Sequence, residues 1–332
     1  MWARFESVSA DALKWARHHP VLVAVSASLV SVQLLRIGYH RAHRRTERGR
    51  RVLCTGAGSG IGKQVATILA SKGWVVFALD VNAAALESLR QECGPSIRPV
   101  VCSIADDKQV KAAASEVGKD GGSLHALVNV AGISQVGAAA SQREEDMMLV
   151  MQINGLGAMR LTRECIPLLL RSSDGGNVVN VTSTGGTVAW PWSGTYSSAK
   201  AAVEMFSDGL RREAYICGLP LRVTVVAPGA VLTPLLDAFT DKQVQWAEAN
   251  KNSPFYAGCR RSAMLQKDLK DKGVSASAVG VSARQVAEAV VDALEAHDPP
   301  ARVLVMHPLF APMYYLPRWL PARWGDWLLS LV

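Results

Sequence analysis

Thr55-Gly56-Ala57-Gly58-Ser59-Gly60-Ile61-Gly62 is the stretch that decides the fold. Its glycines permit a tight turn and let the backbone approach a diphosphate seated on the positive end of the next helix. Glycine-rich turns are common, so the loop alone is weak evidence. Its setting carries the reading. The apolar run Arg51–Thr55 precedes it, a helical pattern over Gln64–Lys72 follows, and Asp80 closes the next apolar run, Trp74–Leu79, 18 residues after Gly62. An acid there accepts hydrogen bonds from a ribose 2′-hydroxyl and repels a 2′-phosphate. No Arg stands beside it, and Ser59 sits where a basic residue could meet that phosphate, so NAD is expected ahead of NADP. The alternative for Asp80 is an acid at a helix N-terminus, next to Asn82.

Outward from the loop, strand and helix signals alternate. Helices are expected at Ala83–Cys93, Lys108–Val117, Glu144–Leu170, Tyr196–Cys217 and Ala283–Ala296. Strands are expected at Pro99–Ile104, Leu124–Val130, Asn177–Thr182, Leu221–Ala227 and Arg302–Met306. Continuous apolar strands separated by helices imply a parallel sheet covered on both faces. That is a Rossmann-type doubly wound α/β domain, with ligands at the C-terminal strand edge.

Tyr196-Ser197-Ser198-Ala199-Lys200 places a phenol and an ammonium at i and i+4 on one helical face. A free Tyr, with a pKa near 10, is a poor base at neutral pH, and a nearby cation lowers that value. Tuned so, Tyr196 could take the proton of a substrate alcohol while hydride leaves its carbon. Ser183 follows the strand Asn177–Thr182, where its hydroxyl could hold the substrate oxygen. A Tyr and a Lys four apart would by themselves be an ordinary exposed helix face. Their company, the strand-end Ser and the phosphate loop, makes the chemical reading.

Thr55–Gly62, Asn129-Val130-Ala131-Gly132, Asn154, Ser183, Tyr196, Lys200 and Pro228-Gly229 with Thr233 occur in one order and spacing. That set resembles the motifs of the short-chain dehydrogenase/reductase family, from about Arg51 to Pro234. The family's serine lies thirteen residues before its tyrosine, as Ser183 and Tyr196 do. The resemblance implies a catalytic set of Ser183, Tyr196, Lys200 and Asn154, the last holding a water in a proton relay. It implies cofactor contacts from Thr55, Gly56, Ser59, Gly60, Ile61, Gly62, Asp80, Asn129, Ala131, Gly132, Tyr196, Lys200, Pro228, Gly229 and Thr233. Within these, Lys200 would bind the nicotinamide ribose, Thr233 the carboxamide, and Asn129 would order the central strand. Two departures stand out. Val130 replaces a second Asn, and Ser103, with Asp106 and Asp107 just beyond, stands where an acid often meets the adenine.

The ends suggest a membrane. His18–Leu35 is an eighteen-residue stretch without a formal charge, bracketed by Arg17 and Arg36. A spanning helix needs about 20 residues, and flanking Arg, Trp15 and Tyr39 suit the interface. An uncleaved anchor within 1–36 is expected, with a basic linker at 37–51. Its rivals are a cleaved signal peptide and a mitochondrial transit peptide. The band from Arg36 to Arg51 carries +6 of the chain's net charge of +8, so the domain itself is nearly neutral and no nucleic-acid partner is expected. By the positive-inside rule the domain, over 52–308, faces the cytosol. The tail, 309–332, holds Tyr314, Tyr315, Trp319, Trp324 and Trp327 with few charges, as a membrane contact, a lid or a dimer contact would. Residues 235–273 are expected to cover the substrate as a mobile lid.

The chain has 332 residues, 49% hydrophobic and 19% charged, which excludes a disordered or low-complexity protein. Six cysteines make no disulfide scaffold at this length, and Cys54 and Cys102 fall in apolar runs. His18, His19, His40 and His43 do not have convincing metal-site spacing, and the chemistry needs no metal. The tail and anchor are similar to those of membrane-bound retinol and hydroxysteroid dehydrogenases. The resulting expectation is an NAD-dependent enzyme of the endoplasmic reticulum membrane, or of the mitochondrion, acting as a homo-oligomer on a lipophilic alcohol or ketone. The alternatives are a 3-hydroxybutyrate-type dehydrogenase, with Lys251, Arg260 and Arg261 as candidate carboxylate partners, and a non-catalytic nucleotide-binding protein.

Overall fold

Seven parallel strands form one sheet. The structure, a computed structural model, describes residues 49–119, 122–271, 280–307, 311, 314–315 and 320–330. Strand β1 (Arg51–Thr55) lies between β2 (Val75–Asp80) and β4 (Ala126–Asn129). Beyond β2 lies β3 (Ile97–Val101). Beyond β4 lie β5 (Gly176–Val181), β6 (Leu221–Pro228) and β9 (Arg302–Val305). The order reverses between β1 and β4, and that switch point opens a crevice at the carboxyl ends of the strands.

Side chains of successive strand residues point to opposite faces. Val52 and Cys54 of β1, with Val76 and Ala78 of β2, join one apolar cluster; Leu53, Phe77 and Leu79 join another. The first cluster is closed by α1 (Gly60–Ser71), α2 (Ala83–Cys93) and α9 (Ala283–Glu295), through Val65, Leu69, Leu86, Leu89, Val290 and Leu294. The second is closed by α3 (Asp107–Gly118) and α5 (Ala158–Leu169), through Val110, Val117, Leu161, Cys165 and Leu169. Burial on both faces is why these strands read as continuous apolar runs. Cys54 and Cys102 are buried in these clusters.

Three features differ from the sequence expectations. Strand β3 starts at Ile97, two residues before Pro99, and ends at Val101. It is the sheet's edge, where Pro is tolerated because a strand's outer side donates to nothing. The long helix over 144–170 is not uniform. It runs as α4 (Glu144–Val150), a π-helical stretch (Met151–Gly157) and α5. The segment after Thr233 is helical: α7 (Pro234–Ala249) packs on α8 (Tyr256–Asp271), with Gln243, Ala247, Cys259 and Ala263 buried. A two-residue pair, β7 (Val231–Leu232) with β8 (Val281–Ser282), brackets this hairpin. Helix α6 (Gly194–Ile216) lies between β5 and β6 in sequence.

The chain divides into two compact units, 44–306 and a second made of 1–43 with 307–332. Within the second, the rings of Tyr314 and Tyr315 meet edge to face at 5.0 Å, and α10 spans Ala322–Ser330. The anchor expected within 1–36, and most of the basic linker, lie outside the described residues. Among the described residues no helix is long and apolar enough to cross a membrane.

Candidate active site

The glycine loop connects β1 to α1 at the switch point. Gly56 and Gly60 take φ of +66° and +52°, a region that L side chains rarely adopt. A Cβ on Gly62 would lie 2.1 Å from the carbonyl oxygen of Gly56, so the helix approaches the strand more closely than any side chain allows. The Gly58 N–H donates to Asp80 Oδ2 at 3.0 Å, and the Asn82 N–H donates to Asp80 Oδ1 at 3.0 Å. The helix-cap role falls to Asn82, whose side chain accepts from the Ala85 N–H, and Asp80 serves the loop instead. Ser59, exposed, is the N-cap of α1 but makes no side-chain cap bond, and the first turn of α1 holds no acid. The positive end of α1 is left for an anion, while α2, α3 and α9 are capped by Asn82, Asp106 and Ser282. Ile61 packs against the first core cluster.

Across the crevice, Thr55 ties β1 to the end of β4. Its Oγ1 accepts from the N–H groups of Val130 (2.9 Å) and Ala131 (3.0 Å). A Cβ on Gly56 would lie 3.0 Å from the Ala131 Cα, so the two loops are in contact. Asn129 Nδ2 donates to Asn180 Oδ1 (2.8 Å) and Thr162 Oγ1 (3.1 Å), joining β4 to β5 and α5. Asn129 thereby orders the centre of the sheet. At the edge of the sheet, Ser103 N–H donates to Gln109 Oε1 and Asp106 caps α3. Asp107 pairs with Lys111 and Arg163.

The four expected catalytic residues come from three elements. Ser183 follows β5 and caps a short 3-10 turn, its Oγ accepting from the Gly185 N–H at 3.0 Å. Tyr196 and Lys200 project from the first turns of α6. Ser183 and Tyr196 meet around Gly185, where a Cβ would lie 3.4 Å from Ser183 Oγ and 3.6 Å from Tyr196 Cε1. Lys200 is buried, donates from Nζ to the Val181 carbonyl at 3.0 Å, and holds that Nζ 5.9 Å from the Tyr196 ring centroid. Asn154 lies in the π-helical stretch, a form often found at functional sites. Its side chain both accepts from the Ile133 N–H and donates to the Ile133 carbonyl, each at 2.8 Å. A Cβ on Gly132 would lie 3.3 Å from Asn154 Oδ1 and 3.6 Å from Lys200 Nζ, so these groups meet around one glycine.

The electrostatics correct one expectation. Burial raises the Tyr196 phenol above its ordinary value, and the Ser183 hydrogen bond offsets this only in part. Burial also lowers the Lys200 ammonium, to about 8. Lys200 alone does not bring Tyr196 down to a neutral-pH base.

Beyond β6, the Gly229 N–H donates to the Val305 carbonyl, which fixes the Pro228-Gly229 turn to β9. Thr233 is the N-cap of α7, and its methyl would lie 3.5 Å from a Cβ on Gly60. The hairpin thus starts against the glycine loop. A cleft of about 500 Å³ opens between α7 and the loop after β4, lined by Gln135, Gln142, Lys242 and Trp246 among others. Lys242 Nζ donates to the Ser134 carbonyl, and Trp246 lies where a Cβ on Gly137 would be. Trp192 has φ of +67°, a strained value for a side chain of its size, and accepts from the Gly137 N–H. Lys251 and Arg260 both engage Glu248.

Sequence reasoning passed over Glu204, Thr182 and Arg302. Glu204 stands four residues after Lys200, on the same helical face, and that spacing was the available signal. The glycine cradle, the open α1 terminus and Asp80 fit a dinucleotide, and the Ser183–Tyr196–Lys200 cluster fits proton transfer at a hydroxyl or carbonyl.

Comparison with known proteins gives the family. The sequence model of the short chain dehydrogenase family matches residues 50–244. The chain is 32% identical over 197 residues to the 3-oxoacyl-[acyl-carrier-protein] reductase FabG of Thermotoga maritima, covering 58% of this chain and 79% of that one. It is 34% identical to dehydrogenase/reductase SDR family member 7B of Bos taurus, covering 57% of this chain and 60% of that one. Among solved structures, a short chain dehydrogenase/reductase from Burkholderia phymatum in complex with NAD superposes with a TM-score of 0.68 at 23% identity, covering 82% of this chain and 94% of that one.

Proposed function

The chain belongs to the short-chain dehydrogenase/reductase family, and we propose that it is an NAD-dependent oxidoreductase interconverting a secondary or allylic alcohol and its carbonyl on a lipophilic substrate of the steroid or retinoid class. The observation that carries the chemistry is the meeting of Ser183 Oγ and the Tyr196 ring around Gly185, with the buried Lys200 ammonium 5.9 Å from that ring. The observation that carries the cofactor is the Asp80 carboxylate on the Gly58 N–H, where it would accept a ribose 2′-hydroxyl and repel a 2′-phosphate. The NAD-bound relative supports the same choice.

When bound, the nicotinamide supplies the hydride acceptor or donor. The rest is done by the chain. Ser183 holds the substrate oxygen. Tyr196, neutral at pH 7 as an ordinary phenol is and held more firmly so by burial, donates its proton to a carbonyl oxygen during reduction. For oxidation it must accept the alcohol proton, which demands positive charge nearby. Lys200 carries that charge below about 8, and an oxidised nicotinamide would add to it. Asn154 fixes the loop at Ile133 above them.

Three readings belong to the same proposal: α7 and α8 as the substrate cover, residues 18–35 as an anchor in the endoplasmic reticulum membrane with the domain facing the cytosol, and a homo-oligomer. An anchor gives access to alcohols dissolved in the bilayer. Of the three basic candidates for the carboxylate of a small hydroxy acid, Lys251 and Arg260 are engaged by Glu248. The test is cofactor reduction by detergent-solubilised protein, offered NAD or NADP with steroid, retinoid and 3-hydroxybutyrate alcohols. Turnover of the lipophilic alcohols with NAD is expected. Turnover of 3-hydroxybutyrate alone would move the assignment to that dehydrogenase type and to the mitochondrion. Cofactor binding with no turnover of any alcohol would favour a non-catalytic binding protein.

A further inference from the structure

We propose that Glu204 is a positioning residue that holds the Ser183 turn in register with Tyr196 and Lys200. The proposal rests on the catalytic reading of those three residues. Glu204 lies one helical turn beyond Lys200 on α6 and is buried. Its Oε1 accepts from the Thr182 hydroxyl at 3.0 Å. Its Oε2 accepts from the Thr187 hydroxyl at 3.3 Å and from Arg302 Nη2 at 2.8 Å. Thr182 and Thr187 bracket the turn that carries Ser183. One carboxylate therefore grips both ends of that turn, while its helix carries Tyr196 and Lys200.

The packing allows little slack. A Cβ on Gly186, inside the turn, would lie 3.2 Å from Glu204 Oε1 and 3.1 Å from the Lys200 carbonyl carbon. The turn lies directly on the helix at this point. A buried carboxylate is expensive unless it is paired and hydrogen-bonded, and Arg302 from β9 supplies the pairing. An apolar side chain would pack here without that expense, but it would give the two threonines no acceptor. The charge fixes where the turn sits. The Ser183 hydroxyl, which meets the Tyr196 ring around Gly185 inside this turn, lowers the Tyr196 phenol, so a turn that drifts from α6 raises Tyr196 further.

The test compares the full-length wild type with Glu204→Gln and with the milder Thr182→Val, which keeps the Glu204–Arg302 pair. The titration midpoint of Tyr196 is read by NMR on carbon-labelled tyrosine, its resonance assigned with Tyr196→Phe. This needs neither cofactor nor substrate. The midpoint is expected to rise in both variants, more in Glu204→Gln. Where alcohol turnover is present, kcat is expected to fall about tenfold or more in Glu204→Gln, with NAD affinity unchanged. An unmoved midpoint in both variants overturns the proposal, whatever happens to the rate; if only Thr182→Val folds, its midpoint decides. A wild type that turns over no alcohol, but whose Tyr196 midpoint moves in the variants, would sink the dehydrogenase reading and leave the positioning role standing.

Discussion

Asp80 and Gly58 are 22 residues apart in sequence, and the carboxylate of the first accepts the N–H of the second at 3.0 Å. The end of β2 thereby shapes the loop at the end of β1. A Cβ on Gly58 would lie 3.0 Å from the Asp80 carboxylate, so any larger residue would press that side chain back by a few tenths of an ångström. The acid that would read the cofactor's ribose also holds the loop that would cradle its diphosphate.

Replacing Asp80 with Ser should therefore weaken NAD and relieve the repulsion of a 2′-phosphate. The dissociation constant for NAD is expected to rise about tenfold, roughly 1.4 kcal/mol, while that for NADP falls. Calorimetric titration of both cofactors checks this. A wild type that binds NADP the more tightly would contradict the assignment.

Lys200 makes stability depend on pH. Burial lowers it to about 8 in the folded chain, against about 10.4 when unfolded. Between these values the unfolded chain binds more protons, so this group makes stability rise as pH rises from about 8 to about 10.4. Denaturant midpoints across that range should climb more steeply for the wild type than for Lys200→Met. Parallel slopes would mean that Lys200 titrates normally in the fold.

Two glycines should respond oppositely to alanine. Gly62→Ala places a Cβ 2.1 Å from the Gly56 carbonyl oxygen, so the loop and α1 must move apart and cofactor binding should be lost. Gly209 lies inside α6 with nothing within 4 Å of its Cβ position. Gly209→Ala should add about 0.5–1 kcal/mol to stability. Thermal melts with and without NAD separate the two effects.

Much of this was legible in the sequence, for identifiable reasons. Strands buried on both faces announce themselves as apolar runs, which is why β1 (Arg51–Thr55) falls where it was expected. The edge strand β3 was displaced because Arg98 and Pro99 face solvent, and Arg98 covers Phe77 instead of interrupting a core. The π-helical stretch around Asn154 leaves the apolar periodicity of 144–170 intact, so only Gly155 and Gly157 hinted at a local change. The spacing of Ser183, Tyr196 and Lys200 pointed to the cluster that the fold assembles. The four-residue spacing from Lys200 places Glu204 on the right helical face, but its partners Thr187, Thr182 and Arg302 lie 17, 22 and 98 residues away, and no local pattern joins them to it. The sign of the Tyr196 shift was likewise beyond reach, because it is decided by burial and not by the neighbouring Lys200.

The most direct test of the account is the rate of NAD reduction by purified protein with a lipophilic alcohol, wild type against Tyr196→Phe. Removing one hydroxyl deletes the proton acceptor while leaving Lys200 bonded to Val181 and the glycine loop intact. The account predicts turnover in the wild type and a loss of roughly a hundredfold or more in Tyr196→Phe, with NAD affinity retained. Equal turnover by the two proteins would contradict it, since the proton would then have to pass through some group other than Tyr196.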